Sequence, residues 1–265
     1  MHHRRVCAIF ASLKRHTTNR HHNIKRQISV VHIVMPTYNI IGDIHGRTNW
    51  KELVNEDFIN IFVGDYFDPY TSIPFVELQQ NFQEIIDFKK NHPDKVVLLY
   101  GNHDYEYLPH ISEQSNRYDY LNVSKITKLL TENESLFYGA AYAIGERYIV
   151  THAGITKPWV EKYLPEAIDY LPNKLAEAIN TLWLNNKSAF GFMENTNWLD
   201  RKGECVEHSP IWVRPISFGD SNIYNSTDVF QIVGHSKVKT ITENGNAIFV
   251  DCLVTTTQSK QITLE

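Results

Sequence analysis

The chain has 265 residues, a formal net charge of −4, 42% apolar residues and 21% charged residues. That length suits one large domain or two small ones with a substantial core, and the composition excludes a collagenous, wholly disordered or disulfide-scaffold protein. Three scattered cysteines (Cys7, Cys205, Cys252) suggest neither a disulfide framework nor a thiolate zinc site, and no apolar run reaches the ~20 residues of a membrane helix.

Residues 1–34 hold seven Lys or Arg and six of the thirteen histidines but no Asp or Glu, which leaves the remainder at −11. Such a head reads as a disordered basic extension or as a leader ahead of a start at Met35, in preference to a signal peptide or a mitochondrial-type presequence. The acidic body argues against nucleic acid as a partner, because phosphate contacts need clustered cations. The regular pattern begins after Met35. Thr37–Gly42, Ile59–Gly64 and Lys95–Gly101 are short continuous apolar runs, the pattern of strands buried on both faces. Asn49–Glu56 and Pro74–His92 read as helices between them, the second with Phe75, Leu78, Phe82, Ile85 and Ile86 near helical spacing. This alternation predicts right-handed crossovers and a parallel core.

Leu121–Thr131 reads as a helix, and Phe137–Ile144 and Arg147–Thr151 as two strands turning at Gly145–Glu146. Trp159–Leu164 and Asn173–Asn186 read as helices, and residues 187–228 hold little periodicity. Trp159, Trp183 and Trp198 are expected to form a small core of their own in this excursion. Strand pattern returns at Val229–Gly234, and at Ala247–Leu253 after a turn at Asn244–Gly245–Asn246. The chain is therefore expected to hold one α/β domain over residues 35–265, with a helical, cap-like excursion at 156–225.

The strand ends carry the chemistry. Gly42-Asp43-Ile44-His45-Gly46, Gly64-Asp65-Tyr66-Phe67-Asp68 and Gly101-Asn102-His103-Asp104 follow the first three runs. Thr151-His152-Ala153-Gly154 and Gly234-His235-Ser236 follow two later ones. In open α/β sheets, ligands bind outside the carboxyl ends of the strands, so five such ends can share one crevice. Asp, His and Asn without thiolate suit Mn, Fe or Zn, and a carboxylate such as Asp65 can bridge two ions. The body has seven histidines, and four of them (His45, His103, His152, His235) fall at these ends. A single such histidine is usually a satisfied core residue; four beside Asp, Asn or Gly point to a metal site.

These five blocks, in this order, resemble the calcineurin-like metallophosphoesterases, and within them the phosphoprotein-phosphatase branch with its small bacterial and phage serine/threonine phosphatases and symmetrical diadenosine-tetraphosphatases. The resemblance implies a two-sheet α/β sandwich flanked by helices and two divalent ions, Mn foremost, with Fe, Zn or Ni as others. It implies that Asp43 and His45 bind the first ion, that Asp65 bridges both, and that Asn102, His152 and His235 complete the second. It implies His103 as general acid with Asp68 orienting it, and direct attack on phosphorus by a metal-bridging hydroxide. The expected substrate is a phosphomonoester, including phosphoserine or phosphothreonine in a protein. A nucleotide pyrophosphate, as in dinucleoside tetraphosphates, is the alternative, and a catalytically inactive metal-binding scaffold a further one. A cytoplasmic setting is expected.

The sequence departs from the branch in places. Asp68 is followed by Pro69 and Tyr70 where the branch has a phosphate-binding Arg, the third block ends in Asp104 where the branch often has Glu, and Lys237 stands where many relatives have a second His. Trp212-Val213-Arg214 resembles a segment whose Arg approaches phosphate, so Arg214 is a candidate substrate contact, and Arg47 is another. Lys237 is expected to be an exposed strand residue. Tyr66, Tyr70, Tyr105 and Tyr107 are expected to pack loop against loop.

Overall fold

The computed structural model describes residues 35–192, 205–219, 223–225 and 227–264. The basic head at 1–34 and Trp198 lie outside the described residues. Strands β1 (Thr37–Ile41), β2 (Ile59–Phe62) and β3 (Val96–Leu98) run parallel. Helix α1 (Phe75–Asn91) crosses over between β2 and β3. Beyond β3 come α2 (Asn102–Tyr105) and α3 (Val123–Glu132). Then follow β4 (Ala141–Ile144), β5 (Tyr148–Thr151), α4 (Lys157–Tyr163) and α5 (Pro172–Asn185). The chain closes with β6 (Phe230–Val233), β7 (Thr242–Asn244), β8 (Ala247–Phe249) and β9 (Lys260–Thr263).

The strands form two sheets, ordered β3-β2-β1-β9 and β4-β5-β6-β8-β7. Their centres are parallel. The edges β9, β4 and β7 pair antiparallel to β1, β5 and β8, so both sheets are mixed, while the expected parallel core of β1, β2 and β3 is present. The strands alternate between two buried environments. Ile40, Ile61 and Val97 share the inter-sheet cluster with Val150, Ile232 and Ile248. Ile41, Phe62 and Leu98 share the other with Phe82, Ile85 and Ile86 of α1. Burial on both faces is why these runs read as continuously apolar. Truncating Phe82, 1% exposed, to Ala costs about 3–5 kcal/mol.

Helix α5 packs on β4. Its Trp183 stacks on Tyr100, with ring centroids 5.0 Å apart, and Trp159 and Trp183 join the same cluster as Tyr66 and Phe82. The expected separate small core is thus corrected: these indoles seal the main one. Two strands were absent from the sequence reading. Strand β7 is exposed throughout, and β9 buries only Ile262, so neither carries an apolar run. The strand expected from Phe137 starts only at Ala141, because residues 138–139 pair with the end of β3 (Tyr138 N to Leu98 O 2.9 Å, Tyr100 N to Gly139 O 3.1 Å). No helix among the described residues is long and apolar enough to cross a membrane.

Candidate active site

The carboxyl ends of β1, β2, β3, β5 and β6 meet at one pocket. Reaching it strains the backbone. His45, Asp65, Asp68 and His235 all adopt positive φ (43°, 56°, 55° and 61°). Each such non-glycine residue costs about 1–3 kcal/mol, and such outliers gather at functional sites. Two glycines make room for the carboxylates: a Cβ on Gly101 would overlap Asp65 Oδ1, and one on Gly234 would overlap Asp43 Oδ1.

Buried hydrogen bonds fix the ligand-type side chains. Asp43 accepts from His235 N with both oxygens at 3.0 Å, and Asp65 Oδ1 accepts from His103 N at 2.9 Å. Asp104 accepts from the backbone N–H groups of Asp65 (2.7 Å), Tyr66 (2.9 Å) and Gly101 (2.9 Å). The last residue of the third block therefore braces the loops that carry Asp65 and Asn102. His45 Nδ1 donates to Phe67 O and His152 Nδ1 to Val63 O, both at 2.9 Å. A carbonyl can only accept, so each neutral ring keeps its lone pair on Nε2.

Those lone pairs meet other acceptors. His152 Nε2 lies 3.0 Å from Asn102 Oδ1 and 3.4 Å from Asp65 Oδ2, while His235 Nδ1 donates to Asn102 Oδ1 at 2.9 Å. His45 Nε2 is 3.3 Å from Asp65 Oδ2 and 3.9 Å from Asp43 Oδ2. Burial pushes His152 and His235 down, which keeps them neutral. Burial, then the nearby Asp251 and Asp65 charges, pushes Asp43 well up. Carboxylates buried together with neutral imidazole and amide acceptors repel one another until a cation sits among them. The donor set thus fits hard or borderline divalent metals. Two groups, His45–Asp65–His103 and Asp43–Asp65–His152, place their ligating atoms within 4.8 Å of one another, and Asp65 belongs to both.

His103 stands at the edge of this cluster. Its Nδ1 lies 2.8 Å from Asp68 Oδ2 and 3.2 Å from Ser115 Oγ. Asp68 Oδ1 accepts from Tyr107 OH at 2.5 Å. Burial opposes charge on His103, but Asp65 and the hydrogen-bonded Asp68 outweigh it and raise its pKa. Arg117 Nη2 lies 2.7 Å from His103 Nε2. Glu106, buried beside them, is pushed up to about 7, chiefly by burial.

Sequence reading missed Asp104, Glu106, Arg117 and Asp251 as site residues. Asp104 was visible as the end of its block. Arg117 sits in irregular sequence between α2 and α3, and nothing there marks it. Of the expected cations, Arg214 lines the pocket and donates to His235 O (3.2 Å), whereas Arg47 is tied to its own loop through Asp43 O (3.1 Å) and Ile44 O (3.3 Å). Lys237 is exposed and lies outside any strand, over the Tyr70 ring. Tyr66, Tyr105 and Tyr107 are buried as expected, but Tyr70 is 36% exposed and lines the pocket, which corrects its expected packing role.

Comparison with known proteins agrees with this architecture. A cold-active protein-tyrosine phosphatase of a psychrophile, Shewanella sp., aligns with 17% identity over 83% of this chain and 72% of its own, at a TM-score of 0.51. A second structure, of a cold-active protein tyrosine phosphatase, aligns with 16% identity over 87% and 74%, at 0.53. At such identity the likeness concerns the fold. No curated protein sequence matched the chain. The family model for calcineurin-like phosphoesterases matches residues 37–249, which spans all five blocks, and the chain accordingly belongs to that metal-dependent hydrolase family.

Proposed function

We propose that this chain hydrolyses phosphomonoesters with two divalent ions, in a cytoplasmic setting and with Mn as the first ion to supply. Three scattered cysteines suit a reducing compartment. The observation that carries the reading is the place of Asp65 Oδ2, 3.3 Å from His45 Nε2 and 3.4 Å from His152 Nε2, with the His103–Asp68 pair beside it.

Asp43 and His45 would hold one ion, Asn102, His152 and His235 the other, and Asp65 both. When bound, such ions supply Lewis acidity and lower the pKa of water toward neutrality. The chain's own groups do the rest. The Phe67 and Val63 carbonyls hold His45 and His152 in the tautomer with the lone pair on Nε2. Water forms the new P–O bond and gives up a proton to solvent, the ester P–O bond breaks, and the departing oxygen takes a proton from His103 Nε2. Asp68 holds Nδ1–H and stabilises the protonated ring. Tyr107 in turn holds Asp68. Arg214 faces the pocket as a contact for phosphate oxygen.

The test is a substrate panel on the Mn-loaded chain: p-nitrophenyl phosphate, its bis-ester, phosphothreonine and phosphotyrosine peptides, and diadenosine tetraphosphate. The reading predicts the highest kcat/KM on a monoester. Preference for the tetraphosphate would make the chain a nucleotide hydrolase. The tyrosine peptide is included because the Shewanella protein is named for that activity.

A further inference from the structure

Three cations gather on one tyrosine at the mouth of the pocket. The guanidinium carbon of Arg117 lies 3.8 Å from the Tyr70 ring centroid, Lys237 Nζ 3.0 Å and the guanidinium carbon of Arg47 5.3 Å. Arg47 is held by carbonyls of its own loop, but Arg117 and Lys237 line the cavity of about 860 Å³ that also holds His103 and Arg214. Like charges packed this closely repel, and the π face of one ring offsets only part of that. Neither Arg117 nor Lys237 pairs with a carboxylate among the described residues. Arg117 Nε is buried and has no hydrogen-bond partner.

The arrangement is braced. Tyr118, next to Arg117, stacks on Tyr107 with centroids 4.5 Å apart and planes 10° apart. Asp119 N donates to Tyr107 OH at 2.7 Å, and Tyr107 OH donates to Asp68. Ser115 of the same loop reaches His103 Nδ1. The Arg117 loop is thus anchored to the His103–Asp68 pair from both sides. Position 69, directly before Tyr70, is proline and supplies no cation.

We propose that Tyr70 gathers Arg117 and Lys237 into a clamp for the dianionic phosphate of a monoester, making them specificity residues for monoesters over diesters. This rests on the phosphoesterase reading above. Arg117 has donors only, so at 2.7 Å it holds the Nε2 lone pair of a neutral His103 and opposes the Nε2–H that the departing oxygen needs. An arriving phosphate takes the guanidinium over by charge-assisted hydrogen bonds and leaves Nε2 open to the departing oxygen. Lys237 adds a point charge beside the same ring. A diester, with one charge fewer, gains less from the pair.

The experiment uses the full Mn-loaded chain and its Arg117→Ala, Lys237→Ala, Tyr70→Phe and Tyr70→Leu variants. Inorganic phosphate binding is measured by calorimetry, and kcat/KM on p-nitrophenyl phosphate and on its bis-ester. Loss of one charged hydrogen bond corresponds to about tenfold to a hundredfold in affinity or kcat/KM. Arg117→Ala and Lys237→Ala should weaken phosphate by about that factor and lower the monoester-to-diester ratio of kcat/KM by at least about tenfold. Tyr70→Phe keeps the π face and should lose less phosphate affinity than Tyr70→Leu, which should follow the cation variants. Unchanged phosphate affinity in both cation variants, or equal losses on both esters, overturns the clamp. A wild-type chain that binds phosphate through Arg117 and Lys237 but hydrolyses neither ester would keep the clamp and reject the phosphoesterase reading.

Discussion

His103 Nδ1 sits 2.8 Å from Asp68 Oδ2, and both residues lie at strand ends that also deliver Asn102 and Asp65. An imidazole and a shared carboxylate therefore stand side by side, on loops whose backbones each hold a carboxylate of the other: His103 N donates to Asp65, and Asp65 N to Asp104. Removing the imidazole without disturbing the carboxylate isolates proton delivery. His103→Asn should leave metal content near wild type and lower kcat by about 10²–10⁴. Metal analysis and steady-state kinetics on the same samples check this, and unchanged turnover would remove His103 from the mechanism.

Asp65 lies 3.3 Å from His45 and 3.4 Å from His152, nearer to both than Asp43, which is 3.9 Å from each. Asp65→Asn should lose metal and activity together. Mass spectrometry of the dialysed protein would show two retained ions if the assignment were wrong.

Gly101 and Gly234 leave space for the two carboxylates. Gly101→Ala should lower metal affinity and thermal stability together, since the new methyl group must displace Asp65. Melting curves with and without Mn would separate the two losses. A variant with wild-type metal affinity would show that the Asp65 position is not critical.

Glu106 is raised to about 7 by burial. The folded chain then holds a proton there that the unfolded chain releases near its ordinary pKa of about 4.3. Between roughly pH 4.3 and pH 7 the native state binds more protons, so this group's contribution to stability falls as pH rises and is lowest above pH 7. Glu106→Gln removes that dependence. Denaturant melts should show the variant gaining stability over wild type at pH 8 relative to pH 4.5, by on the order of 3 kcal/mol. A pH-independent difference would contradict the raised pKa.

The centre of the fold was legible because β1, β2 and β3 are buried on both faces and so read as apolar runs. The edge strands β7 and β9 were not, since their side chains face solvent and no run forms. The convergence of the Asp, His and Asn residues was legible because glycine-flanked turns follow the strands that present them. Arg117 and Tyr70 were not, because their contact with each other is made across 47 residues of sequence, by a loop without periodicity. Trp183 misled for a related reason: helical spacing shows which face of α5 is apolar, not which sheet it meets.

The most direct test counts metal and turnover on one set of samples: the chain stripped by chelator, and the same chain reloaded with Mn. The account predicts about two ions per chain after reloading, with p-nitrophenyl phosphate hydrolysis absent from the stripped protein and restored with the ions. Hydrolysis that survives complete stripping, or two bound ions with no phosphoester cleaved, would contradict it.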